Sequence, residues 1–244
     1  MRVIGVIPAR YESSRLAGKP LADIHGKPMI QHVYEAAQGS QLLSEVIVAT
    51  DDERIAQAVK AFQGQVVMTR VDHACGTERV AEVVERLDAD LVVNIQGDEP
   101  LLPPILIDEC VQALQKATDV GIATVMKRIP DEQFEDPAVV KVVTDRRGRA
   151  LYFSRSLLPY PRTRTKEFAV FEHVGLYAYR RDALLSFSKL PPTTLEQIEG
   201  LEQLRALENG IGIQVVETSF QGDLISVDTP DDLQRVRAIV ASRS

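Results

Sequence analysis

The sequence predicts an α/β fold: a mostly parallel, doubly wound sheet with a smaller mixed β subdomain. Three observations carry the prediction. Short apolar runs rich in β-branched residues recur at 3–7, 46–49, 66–68, 91–95 and 122–126 with little in/out alternation, the pattern of strands covered on both faces. Segments of helical period separate them, and a βαβαβα order implies parallel strands joined by crossover helices. From about residue 127 to 180 the helical period disappears, and short strand-like runs are separated by polar, proline-rich stretches such as "LLPYPRTRTKEF". That stretch is the expected smaller subdomain, within one domain spanning 1–244.

The elements follow in order. The strand at 3–7 runs into "PARYESSRLAGKPL", a loop carrying Arg10, Arg15 and Lys19. A helix is expected to begin near Thr50, because Thr50 and Glu53 have capping-box spacing and Asp51, Asp52 and Glu53 favour a first turn. Another should begin at Thr77, with Val80, Val83, Val84 and Leu87 on one face. A third follows Pro103 and Pro104, with Leu106, Cys110, Val111 and Leu114 toward the core. In the second half, strand-like runs lie at 139–143, 151–153 and 174–179. An amphipathic helix is expected at 195–209, stopping at Gly210, and then a strand at 212–217. "VDTPDDLQRVRAIV" reads as a strand end and a capped helix, with Thr229 as N-cap, Pro230 first, and Asp231 and Asp232 complementing the dipole. "GIGIQV" lacks a third glycine and is a helix stop rather than a dinucleotide fingerprint.

Composition excludes several classes. At 244 residues with 45% hydrophobic residues, the chain can bury a substantial core. No apolar run approaches the roughly 18 residues of a membrane span, and the N-terminus reads as a strand rather than a signal peptide, so a cytosolic location is expected. Cys75 and Cys110 are too few and too far apart for a zinc site or a disulfide framework. A net charge of −7 argues against nucleic-acid binding, which needs a broad basic surface. Basic clusters in such a chain must therefore be local.

The first loop is such a cluster. It is not a Walker A loop, because Gly18-Lys19 is followed by Pro20 with no earlier glycine at the required spacing. Two arginines and a lysine at the carboxyl end of a first buried strand can instead hold a polyphosphate, by guanidinium forks and a point-charge ammonium. The other reading is a solvated loop paired with Glu12 and Asp23. "LVVNIQGDEP" ends a buried strand in Asp98 and Glu99, adjacent carboxylates that need a cation or several donors. Mg2+, which takes one or two carboxylates plus phosphate oxygens and water, would suit Asp98; a backbone-bonded turn is the alternative. Asp228 precedes a helix where capping is an aspartate's ordinary role, but Thr229 can supply that cap. His25, His32 and His73 have no metal-ligand spacing. Glu199, Glu202 and Gln203 fall at i, i+3 and i+4, a spacing that either presents polar groups to a polyol or makes a solvated stripe.

"IPARYESSRLAGKPL", "MTRVDHACGTERVAEV", "VNIQGDEP", "VVKVV", "ALYFSRS", "HVGLYAY", "LEQIEGLEQLR" and "VDTPDDLQRVR" occur in an order that resembles the 3-deoxy-manno-octulosonate (Kdo) cytidylyltransferases over nearly the whole chain. The resemblance implies a nucleotidyltransferase-type, Rossmann-like α/β fold and a Mg2+-dependent homodimer. The reaction it implies is CTP plus Kdo giving CMP-Kdo and pyrophosphate, for lipopolysaccharide assembly. It implies that Arg10, Arg15 and Lys19 hold the CTP phosphates, with Arg10 and Lys19 stabilising charge during attack. Arg70 and Gln96 would hold the cytidine, Asp98 and Asp228 the Mg2+, and Arg155, His173, Glu199 and Gln203 the sugar acid. Two departures stand out: Cys75 where the family has a serine, and Gln197 where a histidine is common.

Read as chemistry, in-line attack of an anomeric hydroxyl on the α-phosphorus needs positioning and charge neutralisation, and no covalent protein intermediate. Arg155 supplies the cation a sugar acid needs, or else a strand-edge ion pair. His173 is either a packed core histidine or a contact to a sugar hydroxyl. Rival functions are a cytidylyltransferase for another acidic sugar (8-amino-Kdo or sialic acid) and a non-catalytic nucleotide-binding regulator.

Overall fold

β1 (Val3–Ala9) is buried at every residue but Pro8, as its uninterrupted apolar run requires. The structure, a computed structural model, describes residues 1–12, 16–163 and 168–243, and the chain divides into two compact units, Met1–Asp108 with Phe220–Ser244, and Glu109–Ser219. After β1 come a ribbon of β2 (Asp23–Ile24) and β3 (Lys27–Pro28), α1 (Met29–Gln38), β4 (Glu45–Thr50), α2 (Glu53–Ala61), β5 (Gln65–Met68), α3 (Gly76–Glu85), β6 (Leu91–Asn94) and α4 (Pro104–Lys116). Then follow β7 (Ile122–Arg128), β8 (Lys141–Thr144), β9 (Ala150–Ser154), β10 (Phe171–Arg180), α5 (Arg181–Phe187), α6 (Thr194–Glu199), α7 (Gln203–Glu208), β11 (Ile213–Glu217) and α8 (Pro230–Arg243).

In the first unit the strands run in the order β6-β1-β4-β5, all parallel, with Val6 beside Ile47 on one side and Asn94 on the other. The chain steps outward from β1 to β4 and β5, then crosses by α3 to the opposite side of β1. The carboxyl ends of β1 and β6 therefore flank a topological switch point, the place where open parallel sheets hold ligands. Close approach is required there: a Cβ on Gly97 would sit 3.0 Å from the Pro8 carbonyl oxygen.

The carboxyl-terminal segment folds back into this unit. Val227, Leu233 and Val236 bury against Ile24 and Met29, each large apolar side chain contributing about 1.5–3 kcal/mol. Thr229 and Asp232 exchange hydrogen bonds at the start of α8: the Asp232 N–H donates to Thr229 Oγ1 at 3.2 Å, and the Thr229 N–H to Asp232 Oδ2 at 2.8 Å.

In the second unit β7 is flanked by β11 in parallel and β10 antiparallel; β8 pairs with β10 and β9 with β8. The β10 register slips between Val174 and Tyr177, and the buried Thr124 hydroxyl lies 3.2 and 2.8 Å from the carbonyls of Val174 and Leu176 at that bulge.

The expected α/β architecture is present, with local corrections. The α2 cap is Asp52, whose carboxylate accepts the Arg54 N–H at 2.9 Å, because Thr50 is still bound into β4. β5 is half-exposed rather than covered, being the edge strand of its unit. The helix at 195–209 is two helices, broken where Gly200 adopts φ 63°, so Glu199 and Gln203 do not share one helix face. Residues 223–228 form no strand. α1 carries no local start signal in the sequence: it begins after Pro28 with no capping side chain, which leaves only its apolar face to mark it. No described helix is long and apolar enough to cross a membrane.

Candidate active site

The loop after β1 is closed by its backbone: the Gly18 N–H donates to the Tyr11 carbonyl at 3.0 Å. Gly18 is required twice over, by its φ of 68° and because a Cβ would press on the Tyr11 ring at 3.2 Å. The Arg54 guanidinium stacks on the Tyr11 ring, 3.3 Å from its centroid. The turn directs Lys19 inward: its ammonium lies 2.8 Å from Asp98 Oδ2 and 3.3 Å from Asp228 Oδ1. Asp98 arrives from the β6 side of the switch point. Asp228 arrives because α8 is docked by its apolar face, and because the Val227 N–H donates to the Asp98 carbonyl at 2.8 Å. Two carboxylates far apart in sequence thus meet on one cation, the Lys19 ammonium. Arg15 lies outside the described residues.

The donor set at this point fits a hard cation. Both carboxylates are partly exposed, at 29% and 39%, so a ligand can approach them from solvent. Among the described residues no group of three or more His, Cys, Asp or Glu is arranged to hold a metal ion. Phosphate oxygens and water would have to complete a Mg2+ shell here.

Arg10 donates to the His73 carbonyl at 2.6 Å, tying the loop after β1 to the loop after β5. That second loop is stapled by three α3 side chains, Glu78, Arg79 and Glu82, that the motifs and periodicity did not single out. Glu78 accepts the Ala74 N–H at 2.7 Å; Arg79, fully buried, donates to the Arg70 carbonyl and the Thr69 hydroxyl and pairs with Asp51 at 3.1 Å. Glu82 accepts the Arg70 N–H at 3.0 Å and lies 2.5 Å from His73 Nε2. Burial alone would push the Glu82 carboxyl up, but His73 and the Arg70 N–H hold it below the usual range. The result is an anchored backbone that leaves the Arg70 side chain 69% exposed. Gln96 is half-buried on the turn leading to Asp98. Cys75 occupies the α3 N-cap, and its thiol makes no cap hydrogen bond, so the departure from serine removes a possible cap. A cleft of about 410 Å3 is lined by Arg10, Asp51, Arg54 and Val71 among others.

In the second unit Arg155 and Glu199 form one cluster. Glu199 accepts from Ser154 Oγ at 2.6 Å and the Arg155 N–H at 3.0 Å, while Arg155 Nε donates to the Glu199 carbonyl at 2.8 Å and Nη1 to the Pro137 carbonyl at 2.9 Å. His173 packs edge-on to Phe153 and against Tyr177, and burial pushes its pKa down to about 3. Its Nε2 lies 3.0 Å from Thr124 Oγ1. With the Thr124 proton directed to the Leu176 carbonyl, Nε2 is the protonated nitrogen and Nδ1 the acceptor. Gln203 is buried, and its Nε2 has no hydrogen-bond partner among the described residues. Gln197 is exposed, consistent with simple surface variation. Arg79, Glu82 and Lys141 were legible only as charges embedded in apolar runs.

A family model described as Cytidylyltransferase matches residues 4–217. A 3-deoxy-manno-octulosonate cytidylyltransferase from Geobacter metallireducens is 54% identical over 97% of this chain and 96% of its own length. One of the same name from Solibacter usitatus is 53% identical over 96% and 93%. A solved CMP:2-keto-3-deoxy-manno-octonic acid synthetase complexed with CTP superposes with TM-score 0.95 at 48% identity, covering 100% of both chains. A cytidylyltransferase from Leptospira borgpetersenii, at 14% identity and TM-score 0.67 over 99% of this chain and 87% of its own, shares the fold.

Proposed function

Because the chain belongs to the 3-deoxy-manno-octulosonate cytidylyltransferases, we propose that it joins CMP from CTP to the anomeric hydroxyl of Kdo and releases pyrophosphate. The observation that carries the reading is the convergence of Asp98 and Asp228 on Lys19 at the carboxyl end of β1. In this reading the anomeric oxygen bonds to the α-phosphorus, the bond from that phosphorus to the pyrophosphate oxygen breaks, and the hydroxyl proton passes to solvent. Lys19 and Arg10, with Arg15, neutralise the phosphates as charge moves to the leaving group. Arg70 and Gln96 hold the cytidine.

Asp98 and Asp228 are the residues that would hold Mg2+. When bound, the ion neutralises phosphate charge and lowers the pKa of the attacking hydroxyl. With a competing cation and phosphates present, Lys19 is free to exchange its carboxylate partners for phosphate oxygens.

Kdo carries a carboxylate and several hydroxyls. Arg155 is the cation for the first, His173 Nδ1 an acceptor for a hydroxyl, and Gln203 Nε2 a donor whose burial is uncompensated until an acceptor arrives. Glu199 acts by holding Ser154 and Arg155 in place. A homodimer, a cytoplasmic setting and a role in lipopolysaccharide synthesis belong to the same reading.

The test is pyrophosphate release with each nucleoside triphosphate, Mg2+, and either Kdo, 8-amino-Kdo or sialic acid. Release with CTP and Kdo above all other pairs is expected. Preference for another acid reassigns the substrate, and no release with any pair leaves a nucleotide-binding regulator.

A further inference from the structure

Lys141 is fully buried, at 0% exposure, and no carboxylate pairs with it among the described ion pairs. Its ammonium is satisfied by three backbone carbonyls: Asp136 at 2.8 Å, Val139 at 2.7 Å and Arg155 at 2.6 Å. Three donors meet three acceptors, so the whole hydrogen-bonding capacity of the group is committed.

The local sequence explains the arrangement. "DPAVVK" makes a turn with proline at its second position: the Val139 N–H donates to the Asp136 carbonyl at 3.2 Å, and the Ala138 N–H to Asp136 Oδ1 at 2.8 Å. Lys141 grips the first and last carbonyls of this turn. Between them lies Pro137, whose carbonyl accepts Arg155 Nη1 at 2.9 Å. Lys141 opens β8, where it pairs with Ser154 of β9, and this brings its ammonium to the Arg155 carbonyl as well. One buried cation therefore fixes both the main chain of Arg155 and the carbonyl that orients its guanidinium. Burial pulls the Lys141 pKa below its ordinary value, against the nearby charges of Asp136, Glu135 and Glu199. An apolar side chain would remove that cost, yet would leave three carbonyls without their donor.

We propose that Lys141 is a positioning residue for sugar-acid recognition: by clamping the 136–139 turn and the Arg155 main chain, it presents the Arg155 guanidinium to the substrate carboxylate. The proposal rests on the assignment of Arg155 to that carboxylate. Lys141 touches neither substrate nor reacting atoms, and its effect passes wholly through Arg155.

The experiment compares Lys141→Met, Lys141→Gln, Arg155→Ala and the double variant Lys141→Met/Arg155→Ala. For each, KM for Kdo is measured at saturating CTP, and the dissociation constant for CTP alone is measured by calorimetry. Lys141→Met should raise KM for Kdo by about tenfold or more, the scale of a lost charge-assisted contact, with CTP affinity held within about twofold. Lys141→Gln, which keeps two donors, should fall between it and wild type. The double variant should be no worse than Arg155→Ala, because both changes disable one device. An unchanged KM for Kdo in Lys141→Met, or effects that multiply in the double variant, overturns the proposal. So does loss of CTP binding in both Lys141 variants, which would assign the residue to overall folding. If Arg155→Ala itself leaves KM for Kdo unchanged, the assignment of Arg155 fails first, and the proposal falls with it.

Discussion

Asp98 and Asp228 are joined twice over. Their carboxylates share the Lys19 ammonium at 2.8 and 3.3 Å, and the carbonyl of Asp98 accepts the N–H of Val227, the residue before Asp228. The backbone link sets where the second carboxylate stands; the shared cation offsets the repulsion between the two. On the proposed reading, a pair held this way is preorganised for a divalent ion and a triphosphate, with Lys19 exchanging its carboxylate partners for phosphate oxygens.

Asp98→Asn keeps the volume of the side chain and removes its charge. Turnover should fall on the order of 100-fold or more, the scale of losing one preorganised electrostatic group, while the unfolding midpoint in urea changes little. Asp228→Asn should in addition raise the Mg2+ concentration needed for half-maximal rate. Chelation of divalent ions should abolish pyrophosphate release, and added Mg2+ restore it. Near-normal turnover of Asp98→Asn would remove the metal assignment.

Gly97→Ala places a methyl group 3.0 Å from the Pro8 carbonyl oxygen at the switch point. Backbone cannot yield there as a flexible side chain would, so a loss of about 1–3 kcal/mol in stability is expected. The strain falls next to Asp98, and kcat should drop with it. Urea unfolding and steady-state rates measure the two effects separately; a variant as stable and active as wild type would show that the turn relaxes freely.

Glu82→Gln removes the charge that receives the Arg70 N–H and faces His73 Nε2. The loop after β5 should loosen, and because Arg10 bonds the His73 carbonyl, the disturbance reaches the first loop. CTP binding should weaken by about tenfold, in line with one charged hydrogen bond, with KM for Kdo unaffected. Equal losses for both substrates would mean a general folding defect.

His173 sets a pH dependence of stability. Its pKa is about 3 in the folded chain, against about 6.5 for an unperturbed histidine. Between those values the unfolded chain takes up a proton that the native state refuses, so this contribution is fully present above pH 6.5 and is lost as pH falls toward 3. The slope should be at most about 1.4 kcal/mol per pH unit. His173→Gln should flatten it, as read by urea unfolding at pH 7, 6 and 5; parallel slopes in both proteins would contradict the burial.

Much of the first unit was legible because its information is local. A strand buried on both faces must be apolar throughout, so β1, β4 and β6 announce themselves. Pro104 opening α4 and the Thr229-Pro230 start of α8 are equally local signals. Conformations set by single backbone angles were harder. Gly200 inside "LEQIEGLEQLR" keeps the helical period on both sides, and only its left-handed φ shows that two helices meet there.

The sequence by itself determined the α/β class, the family, and the residue types of the candidate site, since strand burial, caps and motifs depend on neighbours along the chain. Tertiary structure decided which of those residues act together. Lys19 with Asp98 and Asp228, the α3 staples on the Arg70 loop, and Lys141 with the Arg155 carbonyl are contacts between separate segments. Such contacts are chosen by how apolar faces dock and by which buried polar groups must find partners, and no periodicity in the chain encodes either.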